Sequence, residues 1–152
     1  MSLDFEKYAA KGNEVVKMLA DDLKVSRDKA GRILRAVLHA LRNRLTVEES
    51  LQLLSQLPMA LKSVYVDGWS PSNSFTRIKH LKDFLDEIRM EDGKTASYDF
   101  GNDETAMQAL KAVLRTLHYF VSESETNNMI AVLPEEIQKF IRETLGEGRL
   151  VL

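Results

Sequence analysis

Apolar residues recur along this chain at steps of three and four. Ala30, Ile33, Leu34, Val37, Leu38, Leu41 and Leu45 form one such series, which predicts an amphipathic helix with a single apolar stripe. Ala106, Ala109, Leu110, Val113, Leu114, Leu117 and Val121 repeat the same steps 76 positions later. The two series belong to a longer duplication in which residues 30 to 64 return without a gap as residues 106 to 140. Nine of those 35 positions are identical, against roughly two expected by chance at average composition.

Local signals divide each copy into helices. Thr46 with Glu49, and Ser122 with Glu125, read as S/T-x-x-E capping boxes that start a short helix. That helix should end near Leu57 and Leu133, because Pro58 and Pro134 disfavour helical geometry in the residue before them and suit the first turn of the next helix. A longer amphipathic helix precedes each triplet, Phe5 to Leu23 in the first half and about Ser74 to Met90 in the second, the latter with Phe75, Ile78, Leu81, Leu85 and Ile88 on one face. The segment from Glu91 to Asn102 is predicted as a long loop. The pattern therefore predicts an all-α fold, with about eight helices in two pseudo-symmetric tandem four-helix repeats sharing one core. A single domain over residues 1–152 is expected, with repeat 1 at about 1–70, repeat 2 at about 74–146 and an apolar tail at 147–152. After its two glycines the tail ends Leu150-Val151-Leu152 and should dock on its own domain or on a neighbour's.

Composition narrows the chemistry. Among 152 residues there is no cysteine, which removes disulfides, thiolate nucleophiles and zinc–thiolate sites together. The amino terminus lacks the pattern of a signal peptide, and no apolar run approaches the ~18 residues of a membrane span; a cytoplasmic location is the expectation, with no membrane partner. The net charge of −2 hides two opposed blocks. Residues 24 to 44 hold seven Lys or Arg against one acid, and residues 83 to 104 hold eight acids against Arg89 and Lys94.

Opposite the apolar stripe of the second helix, Arg32, Arg35, His39 and Arg42 fall on one predicted strip, and the second copy keeps it as Gln108, Lys111, Arg115 and His118. Two readings stay open: contact with an acidic protein face, phosphates or RNA backbone, or a solvated helix surface that at most pairs with the acidic segment 83 to 104. No phosphate-cradling glycine loop or aromatic interleaving accompanies the strips, so nucleic acid is the weakest of the partners considered. His39, His80 and His118 stand on different predicted helices without ligand spacing, and the stretch from Asp92 has Lys94 and Ala96 where a calcium loop needs oxygen ligands. No metal or other cofactor and no catalytic residue is expected.

Two aromatic features remain. Trp69, in the Gly- and Pro-punctuated stretch after Tyr65, could be a binding anchor or could fold back to plug the seam between halves; Tyr98 and Phe100 carry the same ambiguity. Asn43 and Arg44 of the first copy become Tyr119 and Phe120 in the second, a corner that either packs internally or presents an apolar patch.

The run Arg35-Ala36-Val37-Leu38-His39-Ala40-Leu41-Arg42, then Gln56-Leu57-Pro58-Met59, then Tyr65-Val66-Asp67-Gly68-Trp69 with Pro71, resembles the bacterial domain-of-unknown-function 2267 family over essentially the whole chain, Leu133-Pro134 included. The resemblance implies a compact helical bacterial protein. That family has no assigned activity, so no catalytic residue carries over from it. The first expectation for function is a non-enzymatic interaction or regulatory domain that binds a protein partner or itself. The second is an enzyme or small-ligand binder with a pocket at the inter-repeat seam near Trp69, Tyr98 and His118. Nucleic-acid binding through the basic strips is the third.

Overall fold

The structure, a computed structural model, describes residues 3–70 and 77–149. Nine α-helices and one 3-10 turn occur among them, with no strand: α1 (Phe5–Leu23), α2 (Arg27–Arg44), α3 (Val47–Gln56), α4 (Met59–Val66), α5 (Leu81–Asp92), the turn Gly93–Thr95, α6 (Ala96–Phe100), α7 (Asp103–His118), α8 (Glu123–Ala131) and α9 (Glu135–Arg149). The protein is all-α, as the periodicity predicts.

Helix starts are set by local caps. Ser26 accepts a hydrogen bond from the Lys29 N–H at 3.2 Å, and Asn102 accepts from Thr105 at 2.8 Å. Thr46 and Ser122 each accept from the N–H three residues on, at 3.1 Å. Each oxygen satisfies one of the orphan donors of a first helical turn. After Pro58 and Pro134, the proline carbonyls accept from Lys62 and Gln138. The starts of α5, α7, α8 and α9 each lie 76 positions after those of α1, α2, α3 and α4.

Both capping boxes are only half made. The Ser122 N–H is taken not by Glu125 but by Gln56 Oε1, reaching across from α3 at 2.6 Å.

Packing runs between the two halves of the chain. α2 lies against α1, α4, α5, α6 and α7, while α7 lies against α1, α2, α5, α6 and α9, and α3 packs on α8. With neighbours on so many sides, α2 buries more than a stripe: Ala36, Val37, Leu38, His39, Ala40, Leu41 and Arg42 are consecutive buried residues. A helix buried nearly all round belongs at the centre of a core. Gly12 serves that close packing, because a Cβ there would stand 2.5 Å from the Ala60 Cβ of α4.

Three expectations are corrected. The second long helix begins at Leu81 rather than near Ser74, so Ile78 precedes it, and Phe84 joins Leu85 and Ile88 in the core. The expected loop from Glu91 to Asn102 is mostly helical, with Gly93 and Gly101 at positive φ making its bends. The last helix also continues through Gly146 and Gly148 to Arg149. Pro71, Ser74, Phe75 and the final Leu150-Val151-Leu152 lie outside the described residues.

Candidate functional site

The basic strip of α2 does not survive as a strip. His39 is 4% exposed and Arg42 9%, a correction to the exposed face predicted from helical spacing. The reason is α4, whose C-terminal end sits over that face. His39 Nε2 donates to the Val64 carbonyl at 2.7 Å, and Arg42 Nη1 donates to the carbonyls of Tyr65 at 2.6 Å and Asp67 at 2.8 Å. A carbonyl can only accept, so Nε2 carries the histidine proton. Together the two side chains cover carbonyls that a helix end leaves without partners, where cations are also favoured by the helix dipole. Burial pushes the His39 pKa down from its ordinary value, and the same cause lowers that of Arg42.

Arg32 and Arg35 also spend their charge inside the molecule. Arg32 grips Asp99 of α6 with Nε and Nη2, both at 2.9 Å, a bidentate pair whose carboxylate is fully buried. Arg35, exposed, reaches Asp67 at 3.3 Å. Further along α2, Arg44 meets Glu87 of α5 through Nε–Oε2 at 2.8 Å and Nη2–Oε1 at 2.9 Å, and Asn43 donates to Glu87 and Glu91. The basic and acidic blocks thus face each other across α2, α5 and α6. Burial works against the charge on Asp99, but the Arg32 hydrogen bonds hold its carboxyl below the ordinary carboxylate range. Its neighbour Asp92 is pushed up to about 6, by burial and by the Asp99 carboxyl beside it.

The second copy of the strip is looser. Arg115 pairs with Asp22 of α1 at 3.1 Å, the Lys111 ammonium lies 5.9 Å from the centre of the Phe140 ring, and Gln108 is exposed. His118 is half-buried, with Nδ1 buried and without a hydrogen-bond partner.

The residues expected at a seam pocket stand in three different surroundings. Trp69, half-buried, meets Tyr65 edge-on with ring centres 6.0 Å apart. Exposed Tyr98 receives Lys29 over its ring at 4.5 Å, and Phe100 is fully buried. His118 lines a 300 Å³ cleft with Glu123, Asn127 and Arg142. Among the described residues, no group of three or more His, Cys, Asp or Glu could hold a metal ion. No described helix is long and apolar enough to cross a membrane.

One corner remains open to solvent and rich in carbon. Tyr119 is 77% exposed, and the next residue, Phe120, is half-buried beneath the Lys11 ammonium at 5.4 Å from the ring centre. Lys11 also lines a cleft of about 590 Å³ with Lys7, Tyr8, Glu14, Leu57 and Met59. Gln56, on the same cleft, binds Ser122 just beyond Phe120. Phe5 stacks edge-on against Tyr8, and both Phe5 and Met59 are exposed.

Several residues that shape these surroundings carried no signal in the sequence. Glu87 and Asp99 are two of eight acids in one block, and Tyr65, which opens the Tyr65–Trp69 motif, shows no sign there of being buried and hydrogen-bonded to Ser50 at 2.7 Å. Burial pushes the Tyr65 hydroxyl up to about 12. Only partner identity distinguishes such residues, and that is a tertiary property.

No curated protein matches the chain. A family model described as "Uncharacterized conserved protein (DUF2267)" matches residues 12–140, which include the basic helix, both Leu-Pro breaks, the α4 end and the Tyr119–Phe120 corner. The chain belongs to this family of uncharacterised conserved proteins.

Proposed function

We propose that this protein is a protein-interaction domain whose docking surface is the corner around Tyr8, Met59, Tyr119 and Phe120. The observation that carries this reading is the 77% exposure of Tyr119, next to Phe120, whose ring lies under Lys11 of a cleft that Tyr8, Leu57, Pro58 and Met59 share with charged residues. Elsewhere the large aromatics are mostly buried or packed, and an aromatic ring left in water at a groove is typical of a binding anchor. The basic strips lose to this corner as candidates because most of their charges already face internal carboxylates or carbonyls.

Charge chooses the partner. The cleft carries Lys7 and Lys11 against Glu14, which pairs with Lys11 at 3.6 Å, so one positive charge is left over and the complementary ligand is a peptide segment with apolar side chains flanked by Asp or Glu, of the kind that lays one helical face into a groove. A photo-crosslinking residue at position 119 in cells of the native host should give one defined adduct. The same residue at Met90, which is 81% exposed but isolated, should not. Charge reversal by Lys7→Glu with Lys11→Glu should weaken capture of that adduct, and acidic-to-basic changes in the captured segment should restore it. Equal labelling from positions 119 and 90 sinks the reading.

A further inference from the structure

We propose that Glu49 and Glu125 share a single proton, and that this carboxyl–carboxylate bond clasps α3 to α8. The two residues are equivalents, 76 positions apart, each the third residue of its helix. In a complete capping box each would return to the N–H of its own cap. That outlet is closed for Glu125, because Gln56 Oε1 already holds the Ser122 N–H. Glu125 is 4% exposed, and its Oε1 and the Oε2 of Glu49 are both buried acceptors without a donor.

Two buried acceptors on helices that pack together, one acting on the other, need a donor between them. Around Glu125, the charged group that acts on it is Glu49, on the packed face of α3, while the neutral Asn128 side chain of α8 acts in the opposite sense. Neither α8 itself nor α9, which packs on α8 as well, places a cation that acts on Glu125 among the described residues. A proton on one carboxyl group supplies the missing donor and removes the repulsion at once, the arrangement that paired buried carboxylates adopt. Burial and the neighbouring Glu49 charge both shift Glu125 towards holding its proton.

The sign follows. A carboxyl that keeps its proton more tightly when folded stabilises the fold at low pH, and that contribution is lost as pH rises through the folded-state titration. The clasp therefore loosens α3 from α8 on the alkaline side, in contrast to the Arg32-paired carboxylate of Asp99 in α6.

The full-length chain tests this by carbon-detected NMR titration of the glutamate side chains, with urea unfolding at pH 5 and pH 8. One macroscopic step from the pair should lie about one pH unit or more above an ordinary glutamate. Glu125→Gln, whose amide supplies a permanent donor to Glu49, should remove that step and make the unfolding constant about two- to threefold less pH-dependent across the interval; Glu49→Gln should act the same way. Ordinary titration of both glutamates in the wild-type chain overturns the proposal even if a variant fails to fold. So does a rise in the pH 8 midpoint on adding calcium or magnesium ions that Glu125→Gln abolishes, since a metal ion would then hold the pair.

Discussion

The same two positions at the end of α2 and of α7 solve one packing problem in opposite ways. In the first copy, Asn43 and Arg44 grip Glu87 of α5. In the second, Tyr119 points to solvent and Phe120 lies under Lys11 of α1, the residue 76 positions before Glu87. An ion pair has been exchanged for a cation over an aromatic ring, and α7 stops at His118, two residues short of the point where α2 ends. The difference teaches that the duplicated frame tolerates either chemistry at this corner. The version that leaves an aromatic residue exposed is the one available to a partner.

The sharpest way to break that comparison is to remove the cations. Arg44→Ala leaves Glu87, whose side chain is only 12% exposed, without its cation and with Asn43 still donating to it, and should lower unfolding stability by about 3 kcal/mol. Lys11→Ala at the equivalent contact should lose about 1 kcal/mol or less, as cation–π contacts near the surface do. Chemical denaturation of the two variants side by side measures the gap, and equal losses would show that the two corners are energetically alike.

Next in size is the α4 end. Arg42→Ala leaves the Tyr65 and Asp67 carbonyls without their charged donor and should lose about 2 kcal/mol, whereas His118→Ala, at the equivalent position without such carbonyls to cover, should lose about half that. Urea midpoints with unchanged slopes would report both.

A smaller effect sharpens the contrast between the two ends of α2 by pH. Asp92 is pushed up to about 6, so its contribution is present in acid and lost as pH rises from the ordinary carboxylate range through about 6. His39 is shifted down, so its contribution is present above the ordinary histidine value and lost as pH falls below it. Asp92→Asn should flatten the alkaline limb of a stability–pH profile and His39→Gln the acid limb; a profile unmoved by either would refute the assignment. Smallest of all, Tyr119→Ala should change stability by less than about 0.5 kcal/mol while abolishing capture of the partner crosslinked at that position.

Legibility of the fold in the sequence tracks how local each cause is. Thr46, Ser122, Pro58 and Pro134 set helix starts within a turn of themselves, and the structure places those starts where the sequence does. Gly93 and Gly101 invited a loop but only bend a short helical segment between them. His39 and Arg42 were misread for a different reason. Helical spacing names the face a residue occupies but not what covers it, and α4 arrives from 25 residues away. The candidate site was half legible: the Tyr119–Phe120 exchange stood out between the copies, while its cleft needed α1 and Met59 to be brought together.

The bond from Gln56 to the Ser122 backbone spans 66 residues and makes the two copies unequal as folding units. A chain stopped at residue 70 would retain each of its side-chain helix caps. One begun at residue 77 would keep the Ser122 side-chain cap of α8, its fourth helix, but leave the Ser122 N–H without its acceptor unless the first copy were supplied separately. Mixing the two pieces should restore order to the second piece more than to the first. The duplication has therefore passed beyond two self-sufficient modules, and the order of synthesis matters: the half made first carries the donor-binding group that the half made later requires.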